Sequence, residues 1–319
     1  MFMNITFFGV KDSERTYLET NAQKSLPDAQ VTLLDACLNT ENIPGDTSAE
    51  VISVFTACIV TKEVIQKFPN LKLIACRSTG YDNVDLDECK KRNITVCNVP
   101  SYGEHTVAEF TFALLLALSR KIIDCDKRVR ETKGFSKNGL TGFDLQGKTL
   151  GVIGTGKIGR HVIRIAKGFD MNVMAYDAFP RVELQSQLGF TYAPLDAVLS
   201  VSDIVTLHVP ALRETQHMIN AEALANMKSG TYIINTSRGA VIDTQALITA
   251  LKSGHIAGAG LDVLEDEAGP VSEELLNLKN VIITPHNAFD TKEAVERILE
   301  TTLQNIAAFT SGVPQNSVK

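Results

Sequence analysis

Five polar residues of this 319-residue chain each close, or directly follow, a short apolar run: Asp177, His208, Arg238, Asp262 and His286. Apolar runs of strand length, alternating with stretches of helical periodicity, read as buried strands of a parallel sheet. Ligands of such sheets bind beyond the carboxyl ends of the strands, so these residues converge on one crevice. An arginine placed there offers a planar donor fork matching a carboxylate, although Arg238 reads equally as a surface arginine at a strand end. Histidine is the residue type suited to exchanging a proton near neutral pH, and Pro285 before His286 makes its placement rigid. The other five histidines (His105, His161, His208, His217, His255) are read first as structural or exposed. Between Arg238 and His286 lies Asp262-Val-Leu-Glu265-Asp266-Glu267. An acidic run is usually a solvated loop, but one carboxylate near His286 would favour its imidazolium form.

The stretch Lys148–Asp177 organises the chain around these residues. An apolar run (149–153) leads into Gly154-Thr-Gly156-Lys-Ile-Gly159, then a helical pattern, then a second apolar run closed by Asp177, 18 residues past Gly159. Strand, glycine turn, helix, strand and acid make the dinucleotide-binding arrangement. Gly154 permits the tight turn, Gly156 lets backbone approach a pyrophosphate, and Gly159 lets the helix pack closely on the strand. Asp177 can accept from both hydroxyls of an adenosine ribose, and its charge would repel a 2′-phosphate, so NAD is preferred over NADP. Arg181 is the one feature against that preference.

The elements that must position these groups follow the same rhythm. Strands are expected at 4–10, 31–35, 51–55, 71–75 and 94–99, with helices at 13–25 and at 61–68, where Thr61 is a plausible cap. The segment Arg77-Ser-Thr79-Gly80 follows a buried strand. Its backbone N–H groups can face an anion, while an ordinary strand-to-helix connection is the simpler reading. Asn98-Val-Pro100-Ser-Tyr102-Gly103 is a candidate hinge. Residues 106–123 read as one long helix, apolar nearly all round and so buried between domains or against another subunit. A loop at 134–147 follows. Beyond Asp177, strands are expected at 204–209, 232–235, 256–263 and 281–284, with helices at 221–227, 243–253 and 292–310. The last helix has nowhere to pack except back on the first domain. The domains expected are 1–100 plus 290–319, and 101–289 inserted between them.

A net charge of −6 excludes the electrostatic footprint of a nucleic-acid binder, and no polybasic run addresses a membrane surface. The N-terminus lacks a basic n-region and reads as a strand, and the longest apolar stretch (110–118) is too short to span a bilayer. The six cysteines form no C-x-x-C pair and several sit in apolar runs, which predicts reduced, structural thiols in a cytoplasmic setting and no metal site.

Taken together, Asn-Thr-Ser-Arg238-Gly-Ala, Gly-Leu-Asp262-Val-Leu-Glu-Asp-Glu267 and Thr-Pro-His286-Asn-Ala-Phe, all behind the glycine fingerprint, resemble the D-specific 2-hydroxyacid dehydrogenases. The resemblance extends to Gly80-Tyr-Asp-Asn-Val-Asp and Leu-His208-Val-Pro, and so covers nearly the whole chain. It implies an α/β protein of two doubly wound parallel-sheet domains, a flavodoxin-like substrate domain and a Rossmann NAD-binding domain with a cleft between them, usually in a homodimer. It also implies roles. Arg238 would orient the substrate carboxylate, with backbone N–H groups near Thr79 and Gly80 on its other side. His286 would donate the proton to the carbonyl oxygen, paired with Glu267, which lies five positions after Asp262. Asp262 would contact the nicotinamide carboxamide, and Lys157, Ile158, His208, Val209, Pro210, Thr215, Thr236 and Ser237 would line the cofactor. Tyr102 and Phe289 resemble the pocket aromatics of the D-lactate branch, while Asn287 and Asp290 depart from it. The expected function is therefore NAD-dependent reduction of a small 2-keto acid such as pyruvate. The alternatives are a glycerate or glyoxylate (hydroxypyruvate) reductase, a phosphoglycerate dehydrogenase relative whose extra C-terminal domain the length leaves no room for, and an NAD-sensing, corepressor-like scaffold.

Overall fold

Continuous apolar runs make strands buried on both faces, and in the computed structural model, which describes residues 3–267 and 269–318, Val51–Val54, Leu73–Cys76 and Ile204–Leu207 are buried throughout, whereas Ala29–Leu34 and Val281–Ile283, at sheet edges, are not. Contacts divide the chain into two units, Met1–Tyr102 with Asp290–Lys319, and Gly103–Phe289.

The first unit carries strands β1 (Met3–Phe8), β2 (Ala29–Leu34), β3 (Val51–Val54), β4 (Leu73–Cys76) and β5 (Thr95–Cys97). They form one parallel sheet in the order β2-β1-β3-β4-β5, the doubly wound flavodoxin-like order. Helices α1 (Asp12–Ser25), α2 (Lys62–Gln66) and α3 (Leu86–Lys91) connect them. Thr61 stands at the N-cap of α2 but its side chain makes no cap hydrogen bond; Asp85, at the start of α3, does, accepting from Glu88 N–H.

The second unit begins with α4 (Glu104–Ser119) and α5 (Ile122–Thr132). Its strands are β6 (Thr149–Ile153), β7 (Asn172–Tyr176), β8 (Thr191–Tyr192), β9 (Ile204–Leu207), β10 (Thr231–Asn235), β11 (Ile256–Leu261) and β12 (Val281–Ile283). The connecting helices are α6 (Lys157–Gly168), α7 (Glu183–Leu188), α8 (Leu195–Val201), α9 (Ala221–Asn226), α10 (Thr244–Lys252) and α11 (Glu273–Leu276). All pairs are parallel in the order β12-β11-β10-β9-β6-β7-β8, and the strand order reverses at β6, beside β9. A reversal of this kind opens a crevice at the strand ends.

The final helix, α12 (Lys292–Thr310), is capped by the Thr291 hydroxyl, which accepts from Ala294 N–H. It returns to the first unit, burying Leu299, Leu303 and Ile306 against Ile5, Phe7 and Leu18. Each such side chain, fully buried, contributes about 1.5–3 kcal/mol as an upper estimate.

The helix expected at 106–123 is two helices. Phe143 N–H donates to the Ser119 carbonyl at 3.0 Å, taking the group that would have continued the ladder. Lys121 then turns left-handed (φ 51°) and α5 starts afresh. The wide apolar surface of α4 is covered inside its own unit, against α6 and strands β10 to β12. By contrast α5 buries no residue, and Ile122, Ile123, Val129 and the following Phe135 are exposed. No described helix is long and apolar enough to cross a membrane.

Candidate active site

In the first unit, β4 runs directly into Arg77-Ser78-Thr79-Gly80. The Arg77 side chain is wholly buried; its Nη2 donates to the carbonyls of Phe8 (2.7 Å) and Gly9 (3.1 Å), and its Nη1 to Ser53 O (3.2 Å). One guanidinium thus ties the carboxyl ends of β1, β3 and β4 together, with buried Glu14 at 3.8 Å as counter-charge. Nothing in the apolar context of Ile-Ala-Cys-Arg distinguished this residue, because its partners are carbonyls far away in the chain. The turn itself is held by Thr79 Oγ1 donating to Val99 O (2.8 Å) and Asn98 Nδ2 donating to Thr79 O (2.7 Å). Among the described residues none accepts from the backbone N–H of Thr79 or Gly80, the condition for an anion cradle. The Tyr102 carbonyl accepts from Arg297 Nε of α12.

In the second unit the glycine turn is built for close approach. Gly154 has φ +97°, and a Cβ there would stand 2.5 Å from the His208 carbonyl oxygen; a Cβ at Gly159 would stand 2.0 Å from the Gly154 oxygen. Gly156, the N-cap of α6, faces open space, and the first turn of α6 carries no acid. A pyrophosphate therefore meets free N–H groups and the positive end of a helix dipole. His208 adds a polar atom awaiting a partner: Nε2 bonds Thr206 Oγ1 at 2.9 Å, while Nδ1 is buried with none among the described residues. Burial pushes the His208 imidazole down to about 3, so it is neutral at physiological pH. These residues fit a dinucleotide.

The remaining expected cofactor contacts are anchored side chains. Lys157 Nζ lies 3.3 Å from Glu104 Oε1 and Ile158 packs on the α4–α6 core. Thr215 Oγ1 donates to Pro210 O and accepts from Leu212 N–H, bracing the loop that holds Val209 and Pro210. Thr236 Oγ1 bonds Thr111 Oγ1 of α4 at 2.9 Å, and Ser237 Oγ donates to Asn235 Oδ1. Asn235, buried at the end of β10, also donates to the Arg238 carbonyl at 2.9 Å, so a single amide shapes the whole turn that presents Arg238.

Three of the expected residues come together. His286 Nδ1 lies 2.8 Å from Glu267 Oε2, and Leu264 N–H donates to Glu267 Oε1 at 3.3 Å. Burial raises the Glu267 carboxyl. The His286 hydrogen bond and charge, the Leu264 N–H and the Arg238 charge together outweigh it and hold the group below the usual carboxylate range. Glu265 is engaged elsewhere, with His217 Nε2 at 2.5 Å and Thr244 N–H at 2.9 Å. Gly239 explains how the two loops meet: a Cβ there would stand 1.9 Å from the Leu264 carbonyl carbon.

Asp262 works beneath His286. Its buried carboxylate accepts from Thr284 Oγ1 (2.6 Å), Asn287 N–H (2.8 Å) and Ala288 N–H (2.8 Å), and its carbonyl accepts from His286 N–H (2.8 Å). His286 itself has φ +52°. Three of the carboxylate's roughly four acceptor positions are thus filled from within the protein. All six cysteines are free, and burial pushes the thiols of Cys89 and Cys97 up to about 11 and about 12, so neither is a nucleophile. Among the described residues no cluster of metal-ligating side chains occurs.

Comparison with known proteins places this geometry in a family. Residues 112–288 match the model described as D-isomer specific 2-hydroxyacid dehydrogenase, NAD binding domain. The glyoxylate reductase of Korarchaeum cryptofilum is 44% identical over 263 residues, 81% of this chain and 79% of that protein. Among solved structures, apo D-lactate dehydrogenase from Escherichia coli is 37% identical with a TM-score of 0.90, covering 99% of this chain and all of that one. The Aquifex aeolicus D-lactate dehydrogenase complexed with NAD and lactic acid is 39% identical with a TM-score of 0.87, covering 97% and 96%. The chain belongs to the D-isomer specific 2-hydroxyacid dehydrogenase family, and is an NAD-dependent oxidoreductase.

Proposed function

We propose that this enzyme reduces a small 2-keto acid of the pyruvate class to the D-2-hydroxy acid, reversibly. The observation that carries the reading is the His286–Glu267 pair, with the Arg238 charge acting on the same carboxylate. A 2-keto acid presents a carboxylate beside a reducible carbonyl. Arg238 takes the carboxylate in its donor fork, and the backbone N–H groups of Thr79 and Gly80, which no described residue engages, are the anion cradle that the first unit offers. NADH, when bound, would supply the hydride and leave as NAD; in oxidation NAD would receive it. Negative charge grows on the carbonyl oxygen as reduction proceeds, and His286 quenches it by giving up a proton; in oxidation it takes that proton back. Asp177 accepts from the adenosine ribose and disfavours a 2′-phosphate. Tyr102 is the substrate-pocket aromatic assigned to the first unit.

Glyoxylate is the second reading, supported by the relatives of that name. NADH oxidation with pyruvate, hydroxypyruvate, glyoxylate and bulkier 2-keto acids separates the two: the highest kcat/KM is expected with pyruvate. Preference for glyoxylate would transfer the assignment, and no turnover despite NADH binding would sink both and favour a sensing scaffold.

Glu267 has its own signature. Its carboxyl is held below the usual carboxylate range by the His286 hydrogen bond and charge, the Leu264 N–H and the Arg238 charge, against the effect of burial, so it faces His286 as an ionised acceptor. Glu267→Gln removes that partner. The alkaline limb of the keto-acid reduction profile is expected to move to lower pH, because the imidazolium loses its ionised partner. A limb that stays in place would separate Glu267 from the acid.

The exposed apolar face of α5 with Phe135 supports a homodimer, and the free thiols support a cytoplasmic setting. Sedimentation at the mass of a single chain would remove the first of these.

A further inference from the structure

The acid that reads the ribose is not free to turn. Asp177 Oδ2 accepts from Thr155 N–H at 2.6 Å and from Thr155 Oγ1 at 2.8 Å, while Oδ1 accepts from Phe179 N–H at 2.9 Å. An ionised carboxylate only accepts, so the single Thr155 hydroxyl proton is committed to it. The Thr155 oxygen must then accept from Tyr192, whose hydroxyl lies 2.7 Å away, and the Tyr192 oxygen in turn receives Arg181 N–H at 3.4 Å. Donors therefore run in one direction, from Arg181 through Tyr192 and Thr155 to Asp177. Such chains polarise each member and strengthen the last bond. Thr155 is buried, and Tyr192 is fixed by Gln185 Oε1 on its backbone N–H (2.8 Å) and by the edge of Phe190.

With both positions on Oδ2 filled and one on Oδ1, Asp177 keeps a single acceptor position, on Oδ1, room for one ribose hydroxyl rather than the two that its residue type allows. We propose that Thr155 and Tyr192 are positioning residues that aim the Asp177 carboxylate and thereby set the preference for NADH over NADPH. This rests on the assignment of Asp177 to the ribose given above. A carboxylate held in one orientation meets a ribose hydroxyl with a charge-assisted bond and presents its full charge to a 2′-phosphate. Released, it swings to relieve the phosphate and pays to re-order for the hydroxyl. Neither side chain touches the cofactor in this scheme; Thr155 sits between the first two glycines of the fingerprint, at a position the motif leaves variable, and Tyr192 lies outside it.

The test is binding, independent of turnover: dissociation constants of NADH and NADPH by fluorescence titration of the full-length protein. Thr155→Val, which keeps the shape, is expected to lower the Kd ratio of NADPH to NADH by about 3–10-fold, part of what a hydrogen bond to a charged group is worth. Tyr192→Phe should move it in the same direction by about 2–3-fold, and Thr155→Ser should keep it near wild type. In an Asp177→Ala background, which itself collapses the ratio, Thr155→Val should change nothing further. An unchanged ratio in both Thr155→Val and Tyr192→Phe, with Asp177→Ala still collapsing it, overturns the proposal and leaves the Asp177 assignment standing. An unchanged ratio in Asp177→Ala overturns that assignment and the proposal with it. An equal effect of Thr155→Val with and without Asp177 assigns Thr155 to the glycine turn alone, which also overturns it.

Discussion

His286→Asn is expected to lower kcat for keto-acid reduction by roughly 10²–10⁴-fold, the range a positioned general acid contributes, while NADH binds with near-wild-type affinity. Asparagine is the replacement that isolates the proton. His286 sits at φ +52°, where asparagine is among the few side chains at ease, so the backbone of the loop is not strained by the exchange. The loop is also held from below rather than by the imidazole: Asp262 keeps its bonds to Thr284, Asn287 and Ala288, and its carbonyl still receives the N–H of residue 286. The nucleotide turn is on β6 and α6 and shares none of these bonds. Steady-state kinetics with a separate NADH titration checks both halves. Near-normal turnover would remove His286 as the acid; lost NADH binding would mean that the variant reports on folding instead.

The second large effect belongs to Arg238→Gln, for which kcat/KM is expected to fall by roughly 10²–10³-fold, the cost of losing one side of a charge-assisted carboxylate pair. The loss should divide between the two constants. KM rises because the substrate carboxylate loses its main partner, and kcat falls because the carbonyl is no longer held in register with the acid. Arg238→Lys keeps a charge without the fork and should fall between glutamine and wild type. The turn should survive, since Asn235 grips the backbone carbonyl of residue 238 and not its side chain. A glutamine variant with unchanged kcat/KM would place the substrate carboxylate elsewhere.

Much of this was legible before any fold was drawn, for identifiable reasons. Buried parallel strands are short continuous apolar runs, so β6 at 149–153 and α12 at 292–310 have the limits that their periodicity indicates. Glycine positions are legible because backbone geometry there excludes a Cβ, as at Gly154. The exception among the long elements is instructive. Residues 106–123 keep helical periodicity across Arg120, and the break comes from Phe143, more than twenty residues on, claiming the Ser119 carbonyl. No local pattern reports a hydrogen bond donated from that distance.

The same division runs through the site. Residue type and position at a strand end marked Asp177, Arg238 and His286 as candidates, because a ribose, a carboxylate and a proton each demand a particular chemical group there; the acidic run left its partner for His286 open, and only the family resemblance pointed to Glu267. Tertiary structure decided what holds those groups: Asn235 shaping the turn before Arg238, Asp262 carrying the loop of His286, Arg77 clamping three strand ends, and Thr155 with Tyr192 steering Asp177. It also decided that Glu265 answers His217 while Glu267 answers His286. Chemistry is a property of one side chain and shows in its letter; orientation is a property of pairs distant in the chain, and arises only when folding brings donor and acceptor within hydrogen-bond reach.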